Sequence, residues 1–298
     1  MSDKKHHLRK YNIHPMWLLS PVIILYAIFI FGGIVLTWIE SLGHIPTLGL
    51  YYQGFAAYIQ VFQMNDIWLS IVYSVGIALI STLISTFIGV KLAYGLANNT
   101  HKFSIIIQKN MLRLGLILPY LLILFMIIIL ASRTGFLSRL LFQSHFISSS
   151  QQFPQLVYDR LGIGIMLTFI LKGIPFVGLF TYYTMSQITE NFKDVAKTLG
   201  SNEKVIYRKL YIPLSANTII WTSVIIFAYY LGSFEIPYLL GSVDLQTISS
   251  RVYSLYVQAG IDKIPVSMAM HMVLLVIGMI SVGIYAYILK RYLVGYQS

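Results

Sequence analysis

Residues 194–213 read DVAKTLGSNEKVIYRKLYIP, a stretch with six charged residues in twenty positions, one glycine and a closing proline. The chain around it is greasy: 57% of its 298 residues are hydrophobic and only 10% are charged. A soluble domain carries about 25% charged residues, so an ordinary water-facing surface is excluded. Apolar runs recur at about 20 residues, the length that crosses a hydrocarbon core of about 30 Å. Six spans are expected, at 16–39, 67–97, 111–131, 161–187, 216–240 and 266–289. Each is apolar on nearly every face, as lipid requires of a helix that satisfies its own backbone. The predicted fold class is therefore all-α, a polytopic membrane protein. Lys4, Lys5, Arg9 and Lys10 precede the first run as they would in a signal peptide. That run is too long for a signal core and lacks a small-residue cleavage site, so it is expected to be retained.

Basic residues set the orientation. With the N-terminus inside, the inner ends and loops hold 15 Lys and Arg and the outer segments hold 5, Arg133, Arg139, Arg160, Arg251 and Lys263. Lys172 lies within a span. Both termini are then cytoplasmic, and the charged stretch is the cytoplasmic loop between spans four and five. The net charge of +11 is thus topological and does not point to nucleic acid. The expected organisation is a basic N-terminus (1–15), one transmembrane domain (16–289) with a loop at 188–215, and a tail (290–298). In the outer segment 40–66, "YYQGFAAYIQVFQMN" predicts a short interfacial helix. The polar run "SHFISSSQQ" predicts a surface loop within 132–160.

Chemistry of other kinds is absent from the residues. There is no GxxxxGK[ST] phosphate loop, no cysteine and no metal-ligand spacing among seven histidines. Lys172, Glu235 and His271 are the ionisable residues singled out within or near the ends of spans. An enzyme needs a converging set of acids, bases or metals, so none is expected here. An ion-driven secondary transporter predicts repeated halves, and no repeat is visible.

The charged loop divides into two short helical pieces. Val195 and Leu199 share a face, Gly200 ends the first piece, and Ser201 is expected to cap the second. Pro213 is expected to mark the start of span five. On these features alone, an amphipathic connector held at the headgroups by basic residues explains the segment.

The spacing, however, resembles the cytoplasmic signature of permease subunits of bacterial ATP-binding-cassette importers: Glu-Ala-Ala, three residues, Gly, nine residues, Ile-x-Leu-Pro. Asp194, Val195 and Ala196 occupy the triplet, Gly200 follows, and Leu210, Ile212 and Pro213 close the motif. The triplet departs from the family pattern at two positions, and the Gly and Pro are identical. "LAYGLANN" (92–99), "LPYLL" (118–122) and "LKGIPF" (171–176) resemble other parts of the family. The resemblance implies that the loop docks on an ATP-hydrolysing subunit and couples its closure to the membrane helices. It further implies two ATP-binding subunits, a second permease subunit, an extracytoplasmic solute-binding protein and a place in the bacterial inner membrane. No cofactor of the chain's own is implied, since ATP would be bound by the partner subunits.

"YYLGSFEIPYLLG" resembles the polyamine and ferric-iron branch of that family, which implies a polyamine or another cation as solute. Ferric iron, thiamine-like compounds and phosphonates remain alternatives at this point. Glu235 is a candidate for a cation path, against an interfacial role or a pair with Lys263 or Arg251. Tyr229 and Tyr230 could stack on an organic cation. Lys172 is expected in a structural ion pair or subunit contact before a substrate contact, and His271 as an interhelical hydrogen-bond donor.

Overall fold

The computed structural model describes residues 15–52, 54–99, 101–188, 198, 200–258 and 260–294. The described residues are helical and form no sheet, and six apolar stretches are long enough to cross a membrane. The helices are α1 (Pro15–Ser41), α2 (Ala56–Gln63), α3 (Ile67–Ala97), α4 (Lys102–Ile117), α5 (Tyr120–Ala131), α6 (Phe136–Gln143) and α7 (Ile163–Met185). A continuous helix α8 (Glu203–Gly232) follows, then α9 (Glu235–Leu240), α10 (Ile248–Gln258) and α11 (Ile264–Val294).

Side-chain contacts give the direction of each crossing. A Cβ added at Gly89 would lie 3.0 Å from Gly178 N, Ile174 O and Val177 Cβ. Nearer the start of both helices, Gly162 meets Tyr73 and Ile77, so α3 and α7 run parallel with their backbones in close approach. Small residues at such contacts let helices touch where lipid supplies no hydrophobic drive. In contrast, α8 runs antiparallel to α7, through Thr184–Thr218 at 2.9 Å and the Tyr230 hydroxyl donating to the Phe169 carbonyl at 2.6 Å. α11 is antiparallel to α8, through Ser223–Tyr285 and Leu231–Gly278. Successive crossings therefore alternate, and residues 15 and 294 lie at one end of the bundle, with Gly200. Glu235 lies at the other.

Two larger cores, with a small cluster of Leu96, Leu112 and Leu179 beside them, hold this arrangement. The larger gathers Phe169, Ile165, Leu124, Phe227 and Tyr230 around α7. A smaller one at the Glu235 end packs Val61 of α2 with Ile67, Ile248, Val252 and Met270. The Ser41 hydroxyl ties α1 to Tyr58 of α2 at 2.7 Å, so the helix expected in 40–66 is present. α7 begins on Gly162, in left-handed backbone at φ +71. Its first free amide, Ile163 N–H, donates to the buried Asp159 carboxylate at 2.9 Å. A carboxylate there also meets the positive end of the helix dipole.

Two spans differ from the sequence reading, and prolines are the reason in both. The third apolar stretch runs from Tyr120 to Gln143, past the expected end at 131, and the crossing already begins in α4, whose Gly115 rests on Pro175 midway along α7. Before Tyr120, Pro119 holds Leu118 at ψ 127, outside the helical region, and separates α4 from α5. The fifth was expected at 216–240 but occupies Glu203–Gly232. Pro213 does not open it: the turn Tyr207–Tyr211 is π-helical, with Ile212 N–H bonded to Tyr207 O. This wider turn seats the proline ring without breaking the helix. At the far end, continuing α8 would drive the Pro237 ring into the Ser233 carbonyl. The helix stops there instead, and that carbonyl accepts from the Ser249 hydroxyl at 2.8 Å.

Lys172 answers the break at Pro119. Its ammonium donates to the carbonyls of Gly115, Leu116 and Leu118 at 3.2, 2.7 and 2.5 Å. These are carbonyls that the interrupted helix leaves without amide partners. The same ammonium lies 5.3 Å from the Tyr120 ring centre. Gly115 rests on Pro175, its missing Cβ leaving room for a ring carbon 2.8 Å away. Among the described residues Lys172 thus makes a cap on its own chain and not the expected ion pair. Lys172→Met should lower the yield and thermal midpoint of the folded protein, by about 1–3 kcal/mol for carbonyls left unsatisfied. Lys172→Arg should recover much of the loss. A normal midpoint in Lys172→Met would show that the cap is dispensable.

Candidate functional site

At one end, Gly200 sits in left-handed backbone at φ +78, and beyond its chain neighbours no atom of the described residues lies within 4 Å of where a Cβ would be. Left-handed backbone, with no crowding from the described residues, calls for glycine there. The helix that follows is capped by Asn202, not by Ser201 as the sequence suggested. Asn202 takes extended backbone, and its side-chain oxygen accepts from Val205 N–H at 2.9 Å.

The first turns of α8 are then clamped to the end of α3. The Tyr94 ring packs between Tyr207 and Tyr211, with ring centres at 4.7 and 5.0 Å. The Tyr94 hydroxyl donates to the Glu203 carboxylate at 2.8 Å. The Tyr211 hydroxyl donates to Asn98 Oδ1 at 3.4 Å. Ile206 and Tyr211 are buried beneath, while Leu210, Ile212 and Pro213 are half-buried, the first two against the larger core. Leu210 and Ile212 thus face the bundle, and Gly200 is exposed. Asp194, Val195 and Ala196 lie outside the described residues. Tyr94, Asn98, Tyr207 and Glu203 were not singled out from the sequence. The signal was in "LAYGLANN", which carries the clamp's Tyr94 and Asn98.

The other end gathers different chemistry. Tyr230 is buried: its ring stacks on Phe169 at 4.3 Å and its hydroxyl is taken by the Phe169 carbonyl. Tyr229, 45% exposed, stacks on Tyr120 at 4.8 Å. The adjacent tyrosines therefore do not form one platform, and only Tyr229 offers an open face. Glu235 lies beyond the end of α8, exposed in the first turn of α9. Neither suggested partner pairs with it. Arg251 donates to the Ser70 hydroxyl at 3.1 Å, and the ion pair among the described residues is Arg160–Asp244 at 3.5 Å.

Next to Glu235, Phe234 stacks on Tyr253 at 4.7 Å and Tyr238 meets the same ring edge-on at 5.0 Å. A cavity of about 380 Å³ opens beside them, lined by Phe234, Ser249, Tyr253, Tyr256 and His271. A larger apolar cavity of about 610 Å³ continues between α1, α8 and α11, and His271 lines both. The His271 ring nitrogen Nδ1 is within 3.1 Å of the Ser267 carbonyl, one turn back on its own helix, so the expected interhelical bond is not made. Nothing distinguishes Tyr253 or Tyr256 in sequence among 22 tyrosines.

Among the described residues no group of His, Asp and Glu could hold a metal ion. The arrangement provides an exposed rigid corner at one end and an aromatic cavity beside an unpaired carboxylate at the other. Solved transporter structures share the fold. A bacterial alginate ABC transporter, in complex with an alginate pentasaccharide-bound periplasmic protein, matches with TM-score 0.77 at 18% identity, over 95% of this chain and 97% of that one. The MetNI methionine ABC transporter in an inward-facing conformation matches with TM-score 0.54 at 12% identity, over 78% of this chain and 97% of that one. No curated protein matches the chain. Neither structural likeness singles out the polyamine and ferric-iron branch. Residues 89–294 match the family of binding-protein-dependent transport system inner membrane components, and the chain belongs to that family.

Proposed function

We propose that the chain is the subunit that forms the solute path of an ATP-driven importer, with the Gly200 corner as its contact with an ATP-hydrolysing partner. The observation that carries this reading is mechanical. The corner is exposed, its helix is clamped to α3 through Tyr94, and that helix continues unbroken from Glu203 to Gly232. Thirty residues of helix reach about 45 Å, from the corner to the break beside Glu235. A push at the corner is thereby delivered to the opposite face, as rigid-body rocking requires.

In this reading two ATP-binding subunits dock at the Gly200 end, a second permease subunit completes the path, and a solute-binding protein delivers solute at the Glu235 end. The 15-to-5 distribution of basic residues supports a cytoplasmic Gly200 end. The solute is small. A cation, a polyamine included, is the class that the unpaired Glu235, the open face of Tyr229 and the nearby aromatic rings favour. Lys172 and Tyr230 have no part in this path, since their polar atoms are engaged within the chain. Vanadate-sensitive uptake by the chain co-expressed with its neighbouring ATPase and binding-protein genes tests the whole reading. Uptake that persists with vanadate and collapses with the ion gradient would replace it with a secondary transporter.

Three measurements test the parts. A valine at Gly200 must adopt left-handed backbone at about 1–2 kcal/mol, enough to reshape the corner. Gly200→Val should lower uptake per assembled complex about tenfold and weaken ATPase pull-down. Normal assembly with normal uptake would remove Gly200 from the coupling contact. Because the chain has no cysteine, single Ser149→Cys, Val243→Cys and Lys204→Cys variants give a labelling map. An impermeant thiol reagent on intact cells should label the first two and spare the third, and the reverse pattern would invert the orientation. Finally, Glu235→Gln removes about 1 kcal/mol of attraction for a cation. Uptake per complex should then fall about fivefold, whereas unchanged uptake would exclude a cation path at Glu235.

A further inference from the structure

We propose that α4 and the last turn of α7 form a binding site for an anionic phospholipid. Two cations meet there. The Lys109 ammonium lies 5.7 and 5.2 Å from the ring centres of Tyr182 and Tyr183. The Arg113 guanidinium donates to the Tyr183 hydroxyl at 3.2 Å, and at the edge of bonding distance, 3.5 Å, to Asn110. Neither cation makes an ion pair among the described residues. A guanidinium has five donors in a fork that suits phosphate oxygens, and most of this fork is unspent.

Depth in the bundle selects the ligand. Tyr183 is two residues from the end of α7, the level at which tyrosines and basic side chains meet lipid headgroups. From there an apolar track leads toward mid-bundle along α4, with Met111, Leu114 and Ile117 exposed by 68, 59 and 76%. The opposite face of α4 is packed, through Leu112, against Leu96 and Leu179. A free phosphate would meet the cations but leave the track uncovered. A water-soluble protein cannot follow the track into hydrocarbon. A lipid with an anionic headgroup fills both, its phosphate between Lys109 and Arg113 and one acyl chain along Met111, Leu114 and Ile117. Basic pockets between membrane helices bind acidic headgroups in this way, at a substantial gain for each cation. The site does not depend on the coupling or solute readings above.

The experiment uses the assembled transporter in detergent, titrated with dioleoylphosphatidylglycerol and read by native mass spectrometry and thermal stabilisation. Phosphatidylglycerol should be retained and should raise the thermal midpoint, while dioleoylphosphatidylcholine should do neither. Glycerol 3-phosphate at equal concentration should not displace the lipid. Lys109→Gln with Arg113→Gln should weaken retention roughly thirtyfold, and Lys109→Arg with Arg113→Lys should keep most of it. If the neutral pair fails to assemble, each single Gln variant should show about a fivefold loss. Unchanged retention in any assembled neutral variant overturns the proposal. So does equal binding of phosphatidylcholine, displacement by glycerol 3-phosphate, or loss of the ATPase partner with lipid binding intact.

Discussion

A helix inside hydrocarbon has nowhere to send a free carbonyl, and the rest of this structure is arranged around that constraint. Four of its helices carry prolines away from their ends or are stopped by one, and three of these sites show distinct solutions. At Pro119 the helix is allowed to break, and the carbonyls so released are collected by the ammonium of Lys172. At Pro213 the break is avoided by widening the preceding turn. At Pro237 the helix ends, and a serine hydroxyl from α10 takes the orphaned carbonyl of Ser233. A charge within a membrane is costly on its own. Lys172 is tolerated because it replaces three unsatisfied acceptors with three charge-assisted hydrogen bonds.

α7 is the element on which these solutions converge. It carries Lys172, it presents Pro175 to Gly115, and its Gly178 meets Gly89 of α3 backbone to backbone. Gly173 leaves space that Ser85 of α3 and Tyr230 of α8 share, so both neighbours approach α7 at one residue. With neighbours fixed so closely, α7 cannot turn or slide without disturbing three helices. Close-packed interfaces of this kind switch between discrete arrangements and do not deform smoothly.

Much of this was legible in the sequence, and the failures have a common cause. Number and order of crossings followed from apolar run length, because lipid enforces that length. Gly200 was legible as a helix end, since left-handed backbone is a local requirement that only glycine meets cheaply. Pro213 misled because a proline usually opens or breaks a helix, and a π turn upstream leaves no mark in composition. The end of span five was placed too late because "EIPYLL" is as apolar as the helix before it. Its separation depends on where Ser233 finds a donor, which is a contact across 16 residues. Lys172 was legible as unusual but not as a cap, since its partners are backbone atoms on another helix. Adjacent tyrosines at 229 and 230 looked like a pair in sequence. A helix turns each residue by about 100°, so one faces Phe169 in the core and the other lies open.

Rigidity at both ends of α8 gives the coupling proposal its physical content. Were the Gly200 corner held only by a flexible loop, closure of partner subunits would be absorbed by side-chain rearrangement. Instead the first two turns hold Tyr94 of α3 between two of their own tyrosine rings and against their own carboxylate, and Ile206 is sealed beneath them. At the far end the helix does not fray into solvent. It stops at Ser233, beside a cavity whose walls come from α1, α8, α10 and α11. A displacement entering at the corner therefore has one compliant place to emerge, the junction between Gly232 and Glu235. That junction is where the exposed carboxylate and the aromatic cavity meet, so the mechanical and chemical features of the chain coincide at the same four residues.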